Sequence, residues 1–238
     1  MGDIQSLRWM IESAERTVFF GGAGVSTESG IPDFRSAQGI FGGTQEKYPA
    51  EEILHINFFA SRPEHFFEFY RSKLIYESAQ PNGAHLKLAE LETAGKLEAV
   101  VTQNIDGLHQ AAGSVNVIEM HGSIHNNYCI DCRETYPLSH ITSSTGVPKC
   151  GCGGIVRPDV TLYGEELSSM AQQKAVTHIK QADLLIVAGT SLQVYPVAGF
   201  LRYFRGRRLV VINKTGTWLD EKADLVIREP VGETLEKL

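Results

Sequence analysis

The segment Thr102-Gln103-Asn104-Ile105-Asp106-Gly107-Leu108-His109 places two amides and a carboxylate within four residues, directly after the apolar pair Val100-Val101. Polar groups aimed into a crevice need partners, and ribose hydroxyls together with a carboxamide would supply them. His121 follows the run Val117 to Met120 and is a candidate base, because imidazole titrates near neutrality. A lone histidine is more often structural, so its chemistry has to be argued from its company. Gly22-Ala23-Gly24-Val25-Ser26-Thr27 follows a third apolar run, where missing side chains let backbone N–H groups approach a pyrophosphate. Only the first two glycines of the dinucleotide fingerprint are present and Thr27 stands where the third would be, so this loop alone also suits a plain strand-to-helix turn. Its continuation Gly30-Ile31-Pro32-Asp33-Phe34-Arg35 adds planar donors for a phosphate in Arg35 and a flat apolar cover in Phe34.

The four cysteines form one local cluster, Cys129-x-x-Cys132, then 17 residues, then Cys150-x-Cys152. Four thiolates satisfy a tetrahedral zinc ion and leave no open position, so the site predicts structure and not catalysis. The second pair has one residue between its sulfurs where two are usual; Gly151 and Gly153 permit the tighter turn. Reduced thiols or a redox pair are the alternatives.

These groups need a frame. Thr17 to Phe20, Leu97 to Val101, Leu184 to Ala188 and Leu209 to Ile212 are apolar and rich in β-branched residues, and predict parallel core strands. Helical spacing falls between them: Gly83 to Ala94 with Leu86, Leu88 and Leu91, and Ser168 to Lys180 with Met170, Val176 and Ile179. The alternation implies an α/β chain with a Rossmann-like, doubly wound parallel sheet that binds ligands at the carboxyl ends of its strands. Two stretches interrupt it. One, rich in Phe and Tyr, predicts a helical module; the other carries the cysteines. The division expected is 1-30, 81-120 and 164-238 for the main domain, and 31-80 with 121-163 for a smaller inserted one.

The 238 residues, 42% hydrophobic, suffice for one domain with an insertion. A net charge of −6 gives no general electrostatic reason to bind nucleic acid or an anionic membrane. No apolar run reaches the roughly 20 residues of a membrane span, and the N-terminus lacks a signal-peptide core, so a cytoplasmic protein is expected. Met1-Gly2 with Ser6 fits a myristoylation pattern, whereas Leu7, Met10 and Ile11 at helical spacing predict an ordinary amphipathic first helix. The helix is the reading adopted.

Taken together, Gly22 to Arg35, Gln103 to His109, Glu119-Met120-His121-Gly122, the stretch Arg157 to Glu165, Gly189-Thr190-Ser191-Leu192 and Val211-Ile212-Asn213-Lys214 closely resemble the sirtuin family in its bacterial type. The order and spacing match over nearly the full chain. The resemblance implies an NAD-dependent protein lysine deacylase that cleaves nicotinamide from NAD, passes the acyl group to ADP-ribose and frees the lysine. NAD would be a co-substrate and zinc a structural ion. It implies that Ala23, Thr27, Phe34 and Arg35 border the pyrophosphate and the nicotinamide ribose, that Gln103 and Asn104 meet ribose hydroxyls, and that Ile105 and Asp106 line the nicotinamide pocket. His121 would be the base, with Asn104 and Asp106 as its catalytic company; it would take a proton from the ribose so that the 2′-hydroxyl can attack the alkylimidate intermediate. Thr190, Ser191, Asn213 and Lys214 would hold the phosphates and the adenosine half, with Val231 a candidate at the adenine. Cys129, Cys132, Cys150 and Cys152 would bind the zinc.

The implied partners are proteins or peptides carrying acetyl-lysine. They would add as a strand between Gly164-Glu165 and Gln193-Val194-Tyr195, with a monomer slightly favoured as the working form. Family members that prefer acidic acyl chains carry Tyr and Arg three residues apart in the segment matching Tyr70 and Lys73. Here the second position is Lys, without the bidentate fork, so acetyl is the expected acyl group. Protein ADP-ribosylation, a nicotinamide dehydrogenase and a zinc-ribbon nucleic-acid module are the competing functions.

Overall fold

The computed structural model describes residues 2–36, 39–41 and 47–238. In chain order the elements are α1 (Asp3–Ser13), β1 (Thr17–Gly21), α2 (Ala50–Ile53), α3 (Ile56–Ser61), α4 (Pro63–Lys73), α5 (Gly83–Thr93), β2 (Ala99–Thr102), α6 (Leu108–Ala111), β3 (Val117–Glu119), β4 (Gly122–Cys129), β5 (Thr135–Tyr136), α7 (Leu138–Thr142), β6 (Val156–Val160), α8 (Ser169–Gln181), β7 (Leu184–Ala188), β8 (Arg208–Ile212), β9 (Leu225–Ile227) and α9 (Val231–Glu236). Short 3-10 turns follow β1 and occupy Val197–Tyr203.

Six strands form a parallel sheet in the order β3-β2-β1-β7-β8-β9. The chain builds outward from β1 to β3, then returns to the other side of β1 with β7, so the switch point lies between β1 and β7. Strand period puts alternate residues on opposite faces. On one face Val18, Phe20, Val101, Leu185 and Val187 pack with Ala175 and Ile179 of α8. On the other, Phe19, Val100, Ile186 and Val210 pack with Leu7 and Ile11 of α1, Leu88 of α5 and Leu235 of α9. The buried Leu7 and Ile11 bear out the amphipathic first helix; burying side chains of this size contributes roughly 1.5–3 kcal/mol each.

The four expected strands are present. The second starts at Ala99 and not at Leu97, because the N–H groups of Lys96 and Leu97 bond to Leu91 O at 2.8 and 3.2 Å and close α5 first. The three-residue strands β3 and β9 extend the sheet and are too short to stand out as apolar runs. Both expected helices are present, as α5 and α8, but not every apolar residue that marked them faces the core. Leu86 is 55% and Met170 65% exposed, since α5 faces the sheet with Ala84, His85 and Leu88, and α8 with Ala175 and Ile179.

The two interrupting stretches pack on each other. β5-β4-β6 form a small antiparallel sheet. Ile124, Ile141, Val156, Val160 and Leu162 share one apolar cluster with Phe58, Phe59, Phe66, Phe67 and Tyr70 of α3 and α4. Among the described residues no helix is long and apolar enough to cross a membrane.

Candidate active site

The loops leaving β1 and β7 close on one another at the switch point. Gly24 N–H donates to Gly189 O at 2.8 Å, and a Cβ on Gly24 would stand 2.8 Å from Gly189 Cα. Gly189 itself has φ +60°, a left-handed conformation that suits glycine. The glycines therefore let two loops touch, in addition to leaving backbone accessible to a ligand.

Behind this contact lies a hydrogen-bonded hub. Ser26 Oγ donates to Asp106 Oδ2 at 2.6 Å and accepts from Asn104 Nδ2 at 2.9 Å. Asp106 Oδ1 accepts the Leu108 N–H at 2.9 Å, which fixes the carboxylate across the start of α6. His85, fully buried at the N-terminus of α5, lies 3.5 Å from Ser26 Oγ and accepts the Asn82 N–H through Nδ1 at 3.2 Å. Burial holds its pKa below the ordinary histidine value, opposed by the charges of Asp106 and Glu28. Ser26 lies inside the first glycine loop, but its central position is set by three segments meeting and has no motif signal of its own.

His121 sits between β3 and β4, half-buried, with Nδ1 2.9 Å from Gln103 O. A carbonyl only accepts, so Nδ1 carries the proton and Nε2 is left as the basic lone pair. Burial lowers the His121 pKa, and the bond to Gln103 O opposes it, so the ring is neutral at physiological pH. Its own carbonyl accepts from Thr161 N–H at 2.9 Å, and Gly122, at φ +77°, starts β4 where any Cβ would collide with Asp159 O.

A cleft of about 1550 Å³ opens over the switch point. Of the residues expected at the cofactor, Ala23, Thr27, Phe34, Arg35, Gln103, Asn104, Ile105, His121, Thr190, Ser191, Asn213, Lys214 and Val231 line it. Asp106 does not; its carboxylate stands one layer behind, held by Ser26. Gln103 Nε2 donates to Thr190 Oγ1 at 3.0 Å, and Asn213 Oδ1 and Nδ2 bracket the Thr190 backbone at 3.0 and 2.6 Å, which ties the ends of β2, β7 and β8 together. Arg35 and Lys214 face the cleft without an ion-pair partner among the described residues, and this donor set fits a pyrophosphate.

Both expected peptide edges, Gly164-Glu165 and Gln193-Val194-Tyr195, also line the cleft. The first is braced by the buried Arg157, whose guanidinium meets Glu165 Oε1 and Oε2 at 2.6 and 2.9 Å, while Glu165 also accepts the Leu162 N–H at 2.8 Å. Leu192 carries φ 56°, uncommon for a branched residue, and its N–H reaches Thr190 Oγ1 at 3.3 Å.

Tyr70 and Lys73 are not brought to this cleft. Tyr70 is fully buried, stacked on Phe66 at 5.6 Å, and burial drives its phenol pKa up. Lys73 lines a separate depression with His65, Glu68 and Ser72. α4 turns its aromatic face into the small-module core, so the tyrosine is used for packing; the cleft instead receives Leu74 from the same segment.

The four cysteine sulfurs lie within 4.8 Å of one another, with Cys129–Cys152 and Cys132–Cys150 both at 3.5 Å. A disulfide needs about 2.05 Å, whereas Zn–S bonds of about 2.3 Å in a tetrahedron put sulfurs about 3.8 Å apart, so the cluster fits zinc. Cys129 ends β4 and Cys150-x-Cys152 leads into β6. The metal site thus clamps one end of the strand pair whose other end presents His121 and Val160.

A parallel sheet with a polar, cation-bearing cleft at its switch point and a thiolate-clamped insertion defines a nucleotide-binding α/β protein. The model of the Sir2 family matches residues 22–196, and the chain belongs to that family. It is 54% identical to the NAD-dependent protein deacetylase of Clostridium acetobutylicum over 98% of this chain and 96% of that one, and 44% identical to that of Saccharolobus solfataricus over 95% and 92%. Among solved structures, Sir2 with p53 peptide and NAD+ superposes with a TM-score of 0.87 at 37% identity, covering 99% of this chain and 97% of the other. A Sir2 histidine-to-alanine variant with deacetylated p53 peptide and 3′-O-acetyl-ADP-ribose gives 0.90 at 38% identity, covering 99% and 97%.

Proposed function

We infer that this chain is an NAD-dependent protein lysine deacetylase that transfers the acetyl group from lysine to ADP-ribose and releases nicotinamide and O-acetyl-ADP-ribose. The observation that carries the reading is His121, its Nδ1 on Gln103 O at 2.9 Å and its ring on the same cleft wall as Asn104. Bound NAD supplies an electrophilic ribose carbon bearing nicotinamide as leaving group. Ala23, Thr27 and Arg35 bind its pyrophosphate; Thr190, Ser191, Asn213 and Lys214 hold the phosphates and the adenosine half, with Val231 at the adenine. Gln103 and Asn104 orient ribose hydroxyls. Phe34 and Ile105 cover the nicotinamide end, and Asp106, one layer behind them, acts through Ser26, which it holds against Asn104. His121 Nε2 takes the proton of a ribose hydroxyl, which a neutral imidazole in water-poor surroundings does well. Cys129, Cys132, Cys150 and Cys152 hold structural zinc.

The substrate is an acetyl-lysine segment laid between Gly164-Glu165 and Gln193-Tyr195, where main-chain pairing gives affinity with little sequence preference. Phe34, Leu54, Leu74, Ile105, Val160 and Leu162 make the nearby lining apolar, which supports an uncharged acyl group. We assign residues 31-80 and 121-163 to a small domain with its own apolar cluster, the remainder to the NAD-binding domain, and the protein to the cytoplasm.

Mass spectrometry of products from NAD and matched acetyl- and succinyl-lysine peptides tests the reading. Acetyl-ADP-ribose with free lysine, formed faster from the acetyl peptide, is expected. Label from NAD retained stably on protein would favour ADP-ribosyl transfer, and faster desuccinylation would overturn the acyl assignment.

A further inference from the structure

Glu28 puts a carboxylate in the loop whose neighbours Ala23, Thr27 and Arg35 face an anion site. Its charge is turned away from that site. Oε2 accepts the Gly232 N–H at 2.6 Å and Oε1 the Glu233 N–H at 3.0 Å, so both oxygens are spent on the first turn of α9, more than 200 residues on. A Cβ on Gly232 would stand 2.7 Å from Glu28 Oε1, so glycine is what lets the carboxylate in. Two further ties converge here. Asn82, the N-cap of α5, donates to Val25 O at 2.8 Å and Ser29 Oγ at 3.0 Å, and a Cβ on Gly83 would stand 3.2 Å from Gly232 O.

Residues on both sides of this junction are walls of the cleft. Thr27, immediately before Glu28, is one; Pro230 and Val231, immediately before Gly232, are another. The six-residue α9 is too short to hold its own geometry and depends on tertiary contacts. Charge-assisted bonds from a carboxylate to two backbone amides are the strongest of these in the first turn.

We propose that Glu28 is a positioning residue for the cofactor, locking the Pro230-Val231 wall to the pyrophosphate loop so that the adenosine half of NAD meets a preformed site. The inference rests on the NAD reading given above. An interaction that organises binding without touching the reacting atoms raises KM and leaves kcat unchanged.

The test uses the full chain with Glu28→Ala and Glu28→Gln, measuring NAD KM, peptide KM, kcat, ADP-ribose affinity by calorimetry and inhibition by nicotinamide. Loss of both bonds in Glu28→Ala is expected to raise the NAD KM and weaken ADP-ribose by about tenfold, with an intermediate effect in Glu28→Gln. The kcat, the peptide KM and the nicotinamide inhibition constant, which does not involve the adenosine wall, stay within about twofold. If Glu28→Ala shows no cooperative melt, the same measurements on Glu28→Gln decide the matter. A folded variant with an unchanged NAD KM, or with kcat reduced at unchanged KM, overturns the role of Glu28. Wild-type protein that fails to consume NAD would instead overturn the deacetylase reading.

Discussion

The Ser26 hydroxyl reaches Asp106 Oδ2 at 2.6 Å while accepting from Asn104 Nδ2, so one oxygen orients both an amide and a carboxylate beneath the cleft. Ser26→Ala removes the donor to a part-buried carboxylate and the acceptor of a buried amide. A cost of about 1–3 kcal/mol in stability follows. A lower kcat, by about tenfold or more, is expected as Asn104 loses its fixed orientation. Steady-state kinetics beside thermal melts check this, and unchanged kcat would show that Asn104 holds its place without the serine.

His121→Ala should leave the fold and NAD binding intact and reduce deacetylation by at least about a hundredfold, the ordinary contribution of a positioned base. The pH profile carries the same point. Because burial depresses the His121 pKa, more than half of the rings are neutral at pH 6.5, the ordinary value. The midpoint of the rate limb governed by this base is therefore expected below pH 6.5. A limb centred above pH 6.5 would contradict a buried imidazole as the base.

His109 is fully buried, with neither ring nitrogen hydrogen-bonded among the described residues, and lies edge-on to Phe19 and 4.8 Å from the His85 ring centre. Burial, then the neighbouring His85 charge, pushes its pKa down to about 3. Between pH 6.5 and 3 the unfolded chain binds a proton that the folded one refuses, so stability is full above pH 6.5 and is lost as pH falls. From pH 7 to 5 the loss from this group is on the order of 2 kcal/mol, or roughly 5 °C in Tm. His109→Leu should flatten that part of the profile in pH-dependent calorimetry; a profile as steep as wild type would remove His109 as its source.

Zinc removal should act at a distance on the cleft. Cys129 and the Cys150-Cys152 turn clamp β4 to β6, and the far end of that pair carries the Thr161 N–H bond to His121 O. Metal analysis is expected to find about one zinc per chain. Chelation should free four thiols to alkylation, lower Tm and abolish deacetylation together. Activity that survives quantitative metal removal would make the ion dispensable to the site.

The strands and the chemical segments were legible because their signals are local. Leu184 to Ala188 is apolar throughout, and Gln103 to Asp106 follows its strand within a few residues. The cysteine cluster was legible for the same reason, four ligands being contained in 24 residues. Leu86 and Met170 marked real helices yet stand exposed, because helical spacing alone does not say which stripe a helix turns inward. For Tyr70 and Lys73 the sequence showed only their spacing: three residues apart in one helix, they are separated by an aromatic core that takes in the tyrosine and leaves the lysine outside, away from the cleft.

By itself the sequence determined the doubly wound sheet and the local cluster of four cysteines, which are written in hydrophobic period and short-range spacing, while the residues that ring the cleft were indicated by the resemblance of several motifs in register to a known family. Tertiary structure alone decided that Ser26 and not the cleft holds the Asp106 carboxylate, and that Gln103 O fixes the tautomer of His121. It also decided that Glu28 joins the first loop to the last helix. These are contacts between segments separated by 18 to 205 positions, and no local pattern can encode them, because they exist only once packing has closed the loops between.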